Sequence, residues 1–280
     1  MSSTGLYVVA TPIGNLEDIS YRAVRILSEV DLIAAEDTRH SRLLLSHYDI
    51  STPMQALHEH NEDALTGKLL ERIANGGSVA LISDAGTPLI SDPGFRLVRA
   101  AREAGLPVFA VPGPSAVTAA ISVAGLSTDR FVFEGFLPSK QTARLKKLRS
   151  LCDQQRTLLF FESSHRIEAS IADMIEAFGP DRLSAVCREL TKKFETVIRG
   201  PLSDIQKVIA GDSNQSRGEF VIVVAAADKA NEDDALANAR KMFSALLEYL
   251  PASQAARVAS KLNEVSRREV YQLIKRTNRD

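Results

Sequence analysis

Short apolar runs alternate with amphipathic stretches along residues 1–126. The apolar runs predict β-strands at Leu6–Thr11, Asp31–Ala35, Pro53–Leu57, Ser78–Ser83 and Pro107–Val111. The amphipathic stretches between them predict helices at Ser20–Ser28, Arg39–His47, Ala64–Asn75, Gly94–Ala104 and Ser115–Val123. Because apolar strands that alternate with helices are typical of a parallel sheet covered on both faces, residues 1–126 are predicted to form an α/β domain.

The pattern changes after the polar joint at residues 125–129, where we place a domain boundary. Further strands are predicted at Phe131–Phe136, Thr157–Glu162, Leu183–Arg188, Glu195–Arg199 and Glu219–Ala226, with three helices among them. The two strands within residues 183–199 have no crossover helix between them, so they are predicted to be antiparallel neighbours. Residues 127–230 therefore predict a second α/β domain with a mixed sheet.

The C-terminal residues 231–280 have the pattern of helices alone. Met242, Leu246 and Leu250 recur at helical spacing, and Pro251 separates them from a later apolar series that includes Leu262 and Val265. The complete prediction is an α/β fold with a parallel-sheet domain, a mixed-sheet domain and a small helical C-terminal domain.

The composition is that of a soluble protein from a reducing compartment. The chain has 280 residues, of which 45% are hydrophobic and 25% charged, as in ordinary globular proteins. Apolar runs such as residues 220–227 are too short to span a membrane. No basic segment with a long apolar run precedes Leu6, so we expect no secretory signal and a cytoplasmic location. Cys152 and Cys187 are interpreted as reduced packing residues.

Charge is segregated although the net charge is only −1. Six basic residues and a single acid, Asp153, lie between Lys140 and Arg156, and seven basic residues lie among the last thirty. Such clusters are candidates for contact with nucleic acid, although a solvated helix face explains each of them equally well.

Three loops at the carboxyl ends of predicted strands carry the candidate chemistry. They are Thr11–Asn15, Ser83–Gly94 and Pro112–Ala116, and they lie where ligands bind in open α/β sheets. Neither a G-x-G-x-x-G after a strand nor a Gly-rich loop ending in Lys-Ser or Lys-Thr is present in the sequence, which weakens dehydrogenase and P-loop assignments. The alternatives are turns that serve geometry only and, for Asp92, capping of the next helix.

The sequences of these loops, TPIGN, SDAGTPLISDPG and PGPSA, are similar in order and spacing to the tetrapyrrole-methylase-like family of S-adenosylmethionine-dependent methyltransferases. The similarity continues through FLPSK, FESSHR, RELTKKFE and GEF and covers residues 5–226. The SDAGTP loop resembles the corresponding loop in the branch of this family that methylates small-subunit ribosomal RNA. Porphyrin-modifying members carry Gly-Asp-Pro where this chain has Ser83-Asp84-Ala85, which argues against a porphyrin substrate.

The resemblance implies a reaction and its partners. S-adenosyl-L-methionine would donate a methyl group to the 2′-hydroxyl of a cytidine ribose in the decoding centre of 16S rRNA, either naked or in the assembled small subunit. The resemblance also implies a homodimer and a cofactor in the cleft between the α/β domains. The residues expected at the cofactor are Pro12, Gly14, Asp84, Ala85, Gly86, Thr87, Ser91, Ser115, Ala116, Phe161 and Ala225.

Methyl transfer from a sulfonium is an in-line displacement, so holding the two reactants in line should dominate catalysis and no metal is required. Such positioning contributes about 7–11 kcal/mol, against roughly 10²–10⁴-fold from a general base. The candidate catalytic residues are Lys192, Glu162, Arg166 and Glu189. Lys192 can act as a base only if its pKa is lowered. The alternative for Glu162 and Arg166 is a local salt bridge.

Other features leave further alternatives open. His58 and His60 share a strand face if the strand continues to them, but a third metal ligand is not evident, so no metal is expected. The candidate RNA-binding residues are Lys140, Arg144, Lys146, Lys147, Arg149, Arg267, Arg268, Lys275 and Arg276. The remaining functional alternatives are a methyltransferase on a small molecule or a protein side chain, a non-catalytic RNA-binding or ribosome-assembly factor, and a nucleotide phosphohydrolase.

Overall fold

The structure, a computed structural model, describes residues 3–58, 60–227, 232–263, 265–266 and 268–270. The chain forms two compact units, Met1–Ala226 and Ala227–Asp280. The first unit contains the two sheets, and the second is helical where it is described. Among the described residues, no helix combines the length and the apolar character needed to cross a membrane.

The first sheet is parallel and has the spatial order β3-β2-β4-β1-β5. Its strands are β1 (Gly5–Val9), β2 (Leu32–Ala35), β3 (Met54–Ala56), β4 (Ser78–Ile82) and β5 (Val108–Val111). The helices that accompany them are α1 (Tyr21–Glu29), α2 (Thr38–His47), α3 (Glu62–Ala74), α4 (Phe95–Glu103) and α5 (Ala116–Val123). The predicted parallel α/β arrangement is confirmed.

Both faces of this sheet are buried because successive residues of each strand point to opposite sides. On β4, Ala80 packs with α1 and α2 in one core cluster, whereas Leu81 packs with α3 and α4 in another. This arrangement explains why the strands read as continuous apolar runs. It also leaves the loops at the carboxyl ends of the strands free to form a site.

Helix α4 is capped differently from the prediction. Its N-cap is Gly94, at φ 113°, and no side chain of the preceding loop caps it, so the interpretation of Asp92 as a cap is wrong. Instead, the buried carboxylate of Glu62, at the start of α3, accepts hydrogen bonds from the backbone N–H groups of Arg96 (2.9 Å) and Leu97 (3.1 Å). The carboxyl group of Asp92 is therefore not used to cap α4.

The second sheet is mixed and has the order β6-β7-β10-β8-β9. Its strands are β6 (Phe131–Phe136), β7 (Thr157–Ser163), β8 (Leu183–Arg188), β9 (Thr196–Pro201) and β10 (Glu219–Val224). Helices α6 (Gln141–Arg149), α7 (Ile167–Phe178) and α8 (Leu202–Gly211) lie among them in the chain. Strands β8 and β9 are antiparallel neighbours, which confirms that prediction.

The two faces of the second sheet have different partners. One face packs against α6, α7 and α8 around Phe160 and Ile222. The other face packs against α5, where Ala120 joins Leu159 and Val223 in one buried cluster. Because α5 follows β5 of the first sheet, this cluster fixes the second sheet beside the loops of the first.

The second unit contains α9 (Glu232–Leu246) and α10 (Ala252–Leu262). Phe243 and several alanines form its buried core, and partly buried Met242, Leu246 and Leu250 pack against that core. The predicted helical character and the break at Pro251 are confirmed for the described residues. Candidate RNA-binding residues Arg267, Lys275 and Arg276 lie outside the described residues.

Candidate functional site

The loops that follow β1, β4 and β5 meet at one edge of the first sheet. The main chains of Thr11 and Gly86 exchange two hydrogen bonds, of 2.8 and 3.0 Å. The hydroxyl of Thr87 donates to the carbonyl oxygen of Pro114 at 3.0 Å. Gly86 has φ 82°, and a Cβ there would lie 3.3 Å from Ile13 Cγ2, so this crossing favours glycine. The three loops, which the sequence placed at the carboxyl ends of strands, therefore contact one another in the structure.

A cavity of about 430 Å³ opens between these loops and one end of the second sheet. This volume lies within the range of small-molecule sites, roughly 300–1,000 Å³. The expected cofactor residues that line it are Asp84, Ala85, Gly86, Thr87, Ser91, Ser115, Ala116 and Phe161. The structure therefore places most of this set together, on both sides of one cleft.

Pro12, Gly14 and Ala225 do not line this cavity in the described part of the chain. Residues 218–221, at the beginning of β10, line it, whereas Ala225 follows the last residue of that strand. At about 3.3 Å per residue, Ala225 is roughly 13 Å along the strand from Val221. The assignment of Ala225 to this cleft is therefore corrected, because it depended on an unknown strand register.

Gly14 lies in an adjoining depression together with Lys192 and Lys193. A Cβ at Gly14 would collide with the side-chain carbons of Lys192, so only glycine lets the lysine stem pack against this turn. Pro12 is buried beside it. The first loop thus shapes the surroundings of the cavity, and Ile13 is the residue of that loop that lines it.

Three carboxyl groups, Glu36, Asp84 and Asp92, line one part of the cavity. Glu36 accepts a hydrogen bond from the backbone N–H of Asp84 at 3.3 Å. Burial raises the pKa of Asp92 to about 6, the charges of Glu36 and Asp84 add to the shift, and a hydrogen bond with Ser83 opposes it. A carboxyl group with a pKa near neutrality suits pairing with a cationic ligand or acceptance of a proton.

Strained backbone accompanies the loops around the cavity. Four non-glycine residues adopt positive φ there: Leu89 (73°), Ser91 (69°), Glu189 (50°) and Thr191 (66°). Each such residue costs of order 1–3 kcal/mol, and strain of this kind concentrates at ligand-binding and catalytic sites. The two strained segments contribute Ile90, Ser91 and Leu190 to the cavity wall.

Glu162 is a fully buried carboxylate in the wall of the cavity. Its Oε1 accepts from the guanidinium of Arg166 at 2.7 Å and from the backbone N–H of Ser163 at 2.8 Å. Its Oε2 accepts from the hydroxyl of Ser170 at 2.6 Å. Both oxygens are therefore engaged, and the predicted local pairing of Glu162 with Arg166 is confirmed. A direct catalytic role for either residue stays a prediction.

Lys192 does not meet the condition for a general base. Its ammonium donates to Glu189 at 2.9 Å and to Glu219 at 2.6 Å. Burial lowers the pKa of Lys192, but these two carboxylates outweigh burial, and the pKa is raised above its ordinary value. Lys192 therefore stays protonated near neutral pH. Burial favours a higher pKa for Glu189, but the hydrogen bonds from Lys192 and the Glu219 backbone, with the nearby positive charges, outweigh burial and lower that pKa.

The interpretation of Lys192 as a base is thus corrected. Its ammonium instead cross-links the loop after β8 to the first residue of β10. Glu219, at that end of the cross-link, is itself part of the cavity wall. Lys192 can act on the reaction by holding this wall in place.

The basic residues of α6 are mostly engaged in ion pairs within the protein. Arg144 is buried and pairs with Asp173 at 2.6 Å, so it is a structural residue and its assignment to RNA is corrected. Lys147 pairs with Glu134, and Arg149 with Glu176. Lys140, Lys146, Arg149 and, in the second unit, Arg268 are exposed, and Lys147 is partly exposed, so the assignment of these five residues to RNA stays a prediction.

His58 lies outside β3, in the segment that leads to α3, so the strand does not continue to His60. The two imidazole rings are 6.0 Å apart between centroids. Asn61 accepts a hydrogen bond from the backbone N–H of His58 at 2.9 Å, which is turn geometry. Within the described ranges, no group of three histidine, cysteine or acidic side chains is arranged to hold a metal ion.

The sequence did not assign Glu36, Phe136, Cys187 or Leu190 to the site, and it offered Asp92 only as a carboxylate of the second loop or a cap, although all five line the cavity. Glu36 follows β2, and a search of the loop after that strand would have found it. The others depend on the register of the second sheet or on the cap of α4, which local sequence does not reveal.

Comparison with known families and proteins agrees with this geometry. The family described as Tetrapyrrole (Corrin/Porphyrin) Methylases matches residues 5–206, and the RsmI C-terminal HTH domain matches residues 233–274. A protein of Xylella fastidiosa (strain Temecula1) named ribosomal RNA small subunit methyltransferase I is 53% identical over 97% of this chain and 99% of its own length. A protein of the same name from Pseudomonas aeruginosa is 50% identical over 97% of each chain.

Solved structures with the same fold are more distant in sequence. A uroporphyrin-III-C-methyltransferase from Thermus thermophilus has a TM-score of 0.57 and 20% identity, and covers 79% of this chain and 94% of its own. A diphthine synthase has a TM-score of 0.59 and 18% identity, and covers 79% of this chain and 89% of its own. At these identities, the likeness indicates the fold alone.

Proposed function

The chain belongs to the tetrapyrrole methylase family, and from that premise we propose that it is a methyltransferase of ribosomal RNA. We further propose that it uses S-adenosyl-L-methionine and methylates the 2′-hydroxyl of a cytidine ribose in the decoding centre of 16S rRNA. The observation that carries the proposal is the cavity that three loops of the first sheet form with β7, β8 and β10.

The residues around the cavity fit the proposed cofactor. Apolar side chains such as Ile13, Leu190 and Val221 provide surfaces for its adenosine and for the carbons around its sulfonium, and the Glu36, Asp84 and Asp92 carboxyl groups provide acceptors for its positive charges. When bound, this cofactor supplies an activated methyl group on a sulfonium. The positive φ angles of Leu89 and Ser91 show that the surrounding structure over-determines this loop, as expected for a wall that positions reactants.

The acceptor hydroxyl must lose its proton as the methyl group is transferred. Asp92 lines the cavity, and its pKa of about 6 leaves most of its carboxyl group ionised at neutral pH. Glu162, by contrast, is held at both oxygens, so it supports the wall and orients Arg166. We therefore assign proton acceptance to the carboxyl groups at the Asp92 end of the cavity.

Binding of the RNA requires surfaces outside the cavity. Lys140, between β6 and α6, and Lys146, in α6, are exposed on the domain that contains the second sheet. The second unit matches the RsmI C-terminal HTH domain. We propose that these cationic surfaces contact phosphates, since phosphate contacts supply most non-specific affinity for RNA.

The cytoplasm is the proposed location, because ribosomal subunits are the proposed substrate, and a homodimer is the proposed assembly.

The proposal is tested with small ribosomal subunits from cells that lack this protein. Purified protein and S-adenosylmethionine with an isotopically labelled methyl group are added, and nucleosides are mapped by mass spectrometry. We expect one labelled cytidine, methylated on its ribose, and no reaction with porphyrin substrates. Methylation of a base, or no transfer to the subunit while a small molecule is methylated, would overturn the proposal.

A further inference from the structure

Strand β6 changes face near its end through a β-bulge. Phe133 pairs with Leu159, and Phe136 pairs with Phe161, so three steps along β6 match two steps along β7. Without the extra residue, Phe133 and Phe136 would point to opposite faces of the sheet. Because of it, both lie on the face of Phe161, which borders the cavity. Bulges beside active sites commonly redirect a side chain in this way.

The bulge is fixed from both sides. Gly135 has φ 67°, and a Cβ at this position would lie 3.3 Å from the hydroxyl oxygen of Ser91, on the strained loop of the first sheet. Glu134 forms an ion pair with Lys147 of α6 at 2.7 Å and is mostly buried. The position of Phe136 is therefore set by the fold.

Phe136 is nevertheless exposed. Its ring meets that of Phe161 edge-on, with centroids 5.5 Å apart, and Phe161 meets Phe133 in the same manner at 4.8 Å. Phe133 and Phe161 pack against the buried cluster around α5, whereas Phe136 is 55% exposed and lines the cavity. The result is a supported aromatic ring that projects at the cavity mouth.

We propose that Phe136 is the platform on which a base of the acceptor RNA stacks, with the adjoining ribose at the cavity; this inference rests on the proposed function. Proteins that recognise an RNA sequence commonly bind unstacked nucleotides and hold the exposed base against an aromatic side chain, so a nucleotide whose ribose enters the cavity can place its base on this ring. Lys140 is exposed four residues beyond Phe136, on the same connection to α6, where it can meet a phosphate of the same strand. Aromatic ring and cation together fit a single-stranded nucleotide.

The test compares Phe136→Leu, Phe136→Tyr and the control Phe131→Leu. Phe131 lies on the same strand, is 43% exposed and is not among the described residues that line the cavity. Methylation of small subunits is measured as kcat and KM, and binding of S-adenosylhomocysteine is measured by calorimetry. We expect Phe136→Leu to lower kcat/KM roughly 10- to 100-fold, mainly through KM, since stacking on an aromatic ring contributes that much per base.

Phe136→Tyr should retain near-normal kcat/KM because it keeps the ring, and Phe131→Leu should behave as the unaltered protein. All three variants should bind S-adenosylhomocysteine as the unaltered protein does. Unchanged kcat/KM in Phe136→Leu would overturn the inference while the proposed function stands. Weakened S-adenosylhomocysteine binding in that variant would assign the ring to the cofactor and also overturn it. If the unaltered protein does not methylate small subunits, the proposed function itself fails.

Discussion

Asp92 shows how the environment of one side chain creates a usable acid–base group. Its loop of small residues leaves the carboxyl group partly buried, and the nearby Glu36 and Asp84 disfavour a further negative charge. Burial raises the pKa of Asp92 from 3.8 to about 6. The proton is therefore retained in mildly acidic solution and released near neutral pH.

This shift predicts a pH dependence of cofactor binding. Below pH 6 the carboxyl group is mostly neutral, and above it the carboxylate attracts the cationic cofactor. We expect the affinity for S-adenosylmethionine to rise about fivefold as the pH rises from 5 to 7, which corresponds to a fall of about one unit in the pKa of Asp92 on binding. Calorimetry at several pH values measures this change.

Asp92→Asn should remove most of that dependence, and the exposed control Asp153→Asn should leave it intact. A pH profile that is equally steep in Asp92→Asn would show that another group titrates.

Lys192 gives a second prediction at this scale. Because the lysine serves as a cation between Glu189 and Glu219, Lys192→Arg should keep single-turnover methylation within a few-fold of normal. Lys192→Ala leaves two carboxylates without this ammonium and should lower the rate about tenfold, since hydrogen bonds to charged groups contribute about 1.5–3 kcal/mol. If Lys192→Arg is as inactive as Lys192→Ala, the result would instead favour Lys192 as the proton acceptor.

Among the elements, α4 depends on a cap from a distant part of the chain. Glu62 lies 35 residues before Leu97, yet its buried carboxylate accepts from the first backbone N–H groups of α4. Helix α4 begins directly after the loop that carries Ser91 and Asp92, so this cap also anchors the end of that loop.

Glu62→Ala should lower the free energy of unfolding by about 2 kcal/mol, the upper range for loss of a helix cap, because two N–H groups are left without their acceptor. The neighbouring Asp63 is an exposed partner of Arg96, and Asp63→Ala should change stability by less than about 0.5 kcal/mol. Urea denaturation measures both. Equal effects of the two substitutions would contradict the assigned cap.

The elements themselves could be predicted from sequence because hydrophobic periodicity is local. Strands such as Ser78–Ile82 and the antiparallel pair β8 and β9 follow from runs of apolar residues and the length of their connections. The predictions were wrong or incomplete where contacts between residues far apart in the sequence determine the local structure. The capping of α4 by Glu62, the bulge that turns Phe136 and the pairing of Lys192 with Glu219, 27 residues away, leave no local signal.

For the whole molecule, the cavity exists because the second sheet packs on α5, beside the loops of the first. The buried clusters that build the two sheets contain residues only up to Val224. The helical unit has its own core around Phe243. Each unit therefore has the internal contacts expected of a separately stable body.

A chain that ends at Ala227 should fold and bind S-adenosylhomocysteine with unchanged affinity. We expect it to bind small subunits at least tenfold more weakly, since the basic residues of the last thirty positions are lost. Filter binding at two salt concentrations measures the loss, which should be smaller at high salt. Undiminished subunit binding would contradict an RNA-binding role for the C-terminal unit.

The most direct measurement is calorimetric titration with S-adenosylhomocysteine of the unaltered protein, Ala85→Trp and Ala143→Trp. Both alanines are exposed, but only Ala85 lines the cavity. A bulky ring at Ala85 would occupy the space that the cofactor needs. We expect the unaltered protein and Ala143→Trp to bind S-adenosylhomocysteine, and Ala85→Trp to bind it at least tenfold more weakly. Absence of binding to the unaltered protein, or equal affinity in all three, would contradict this expectation.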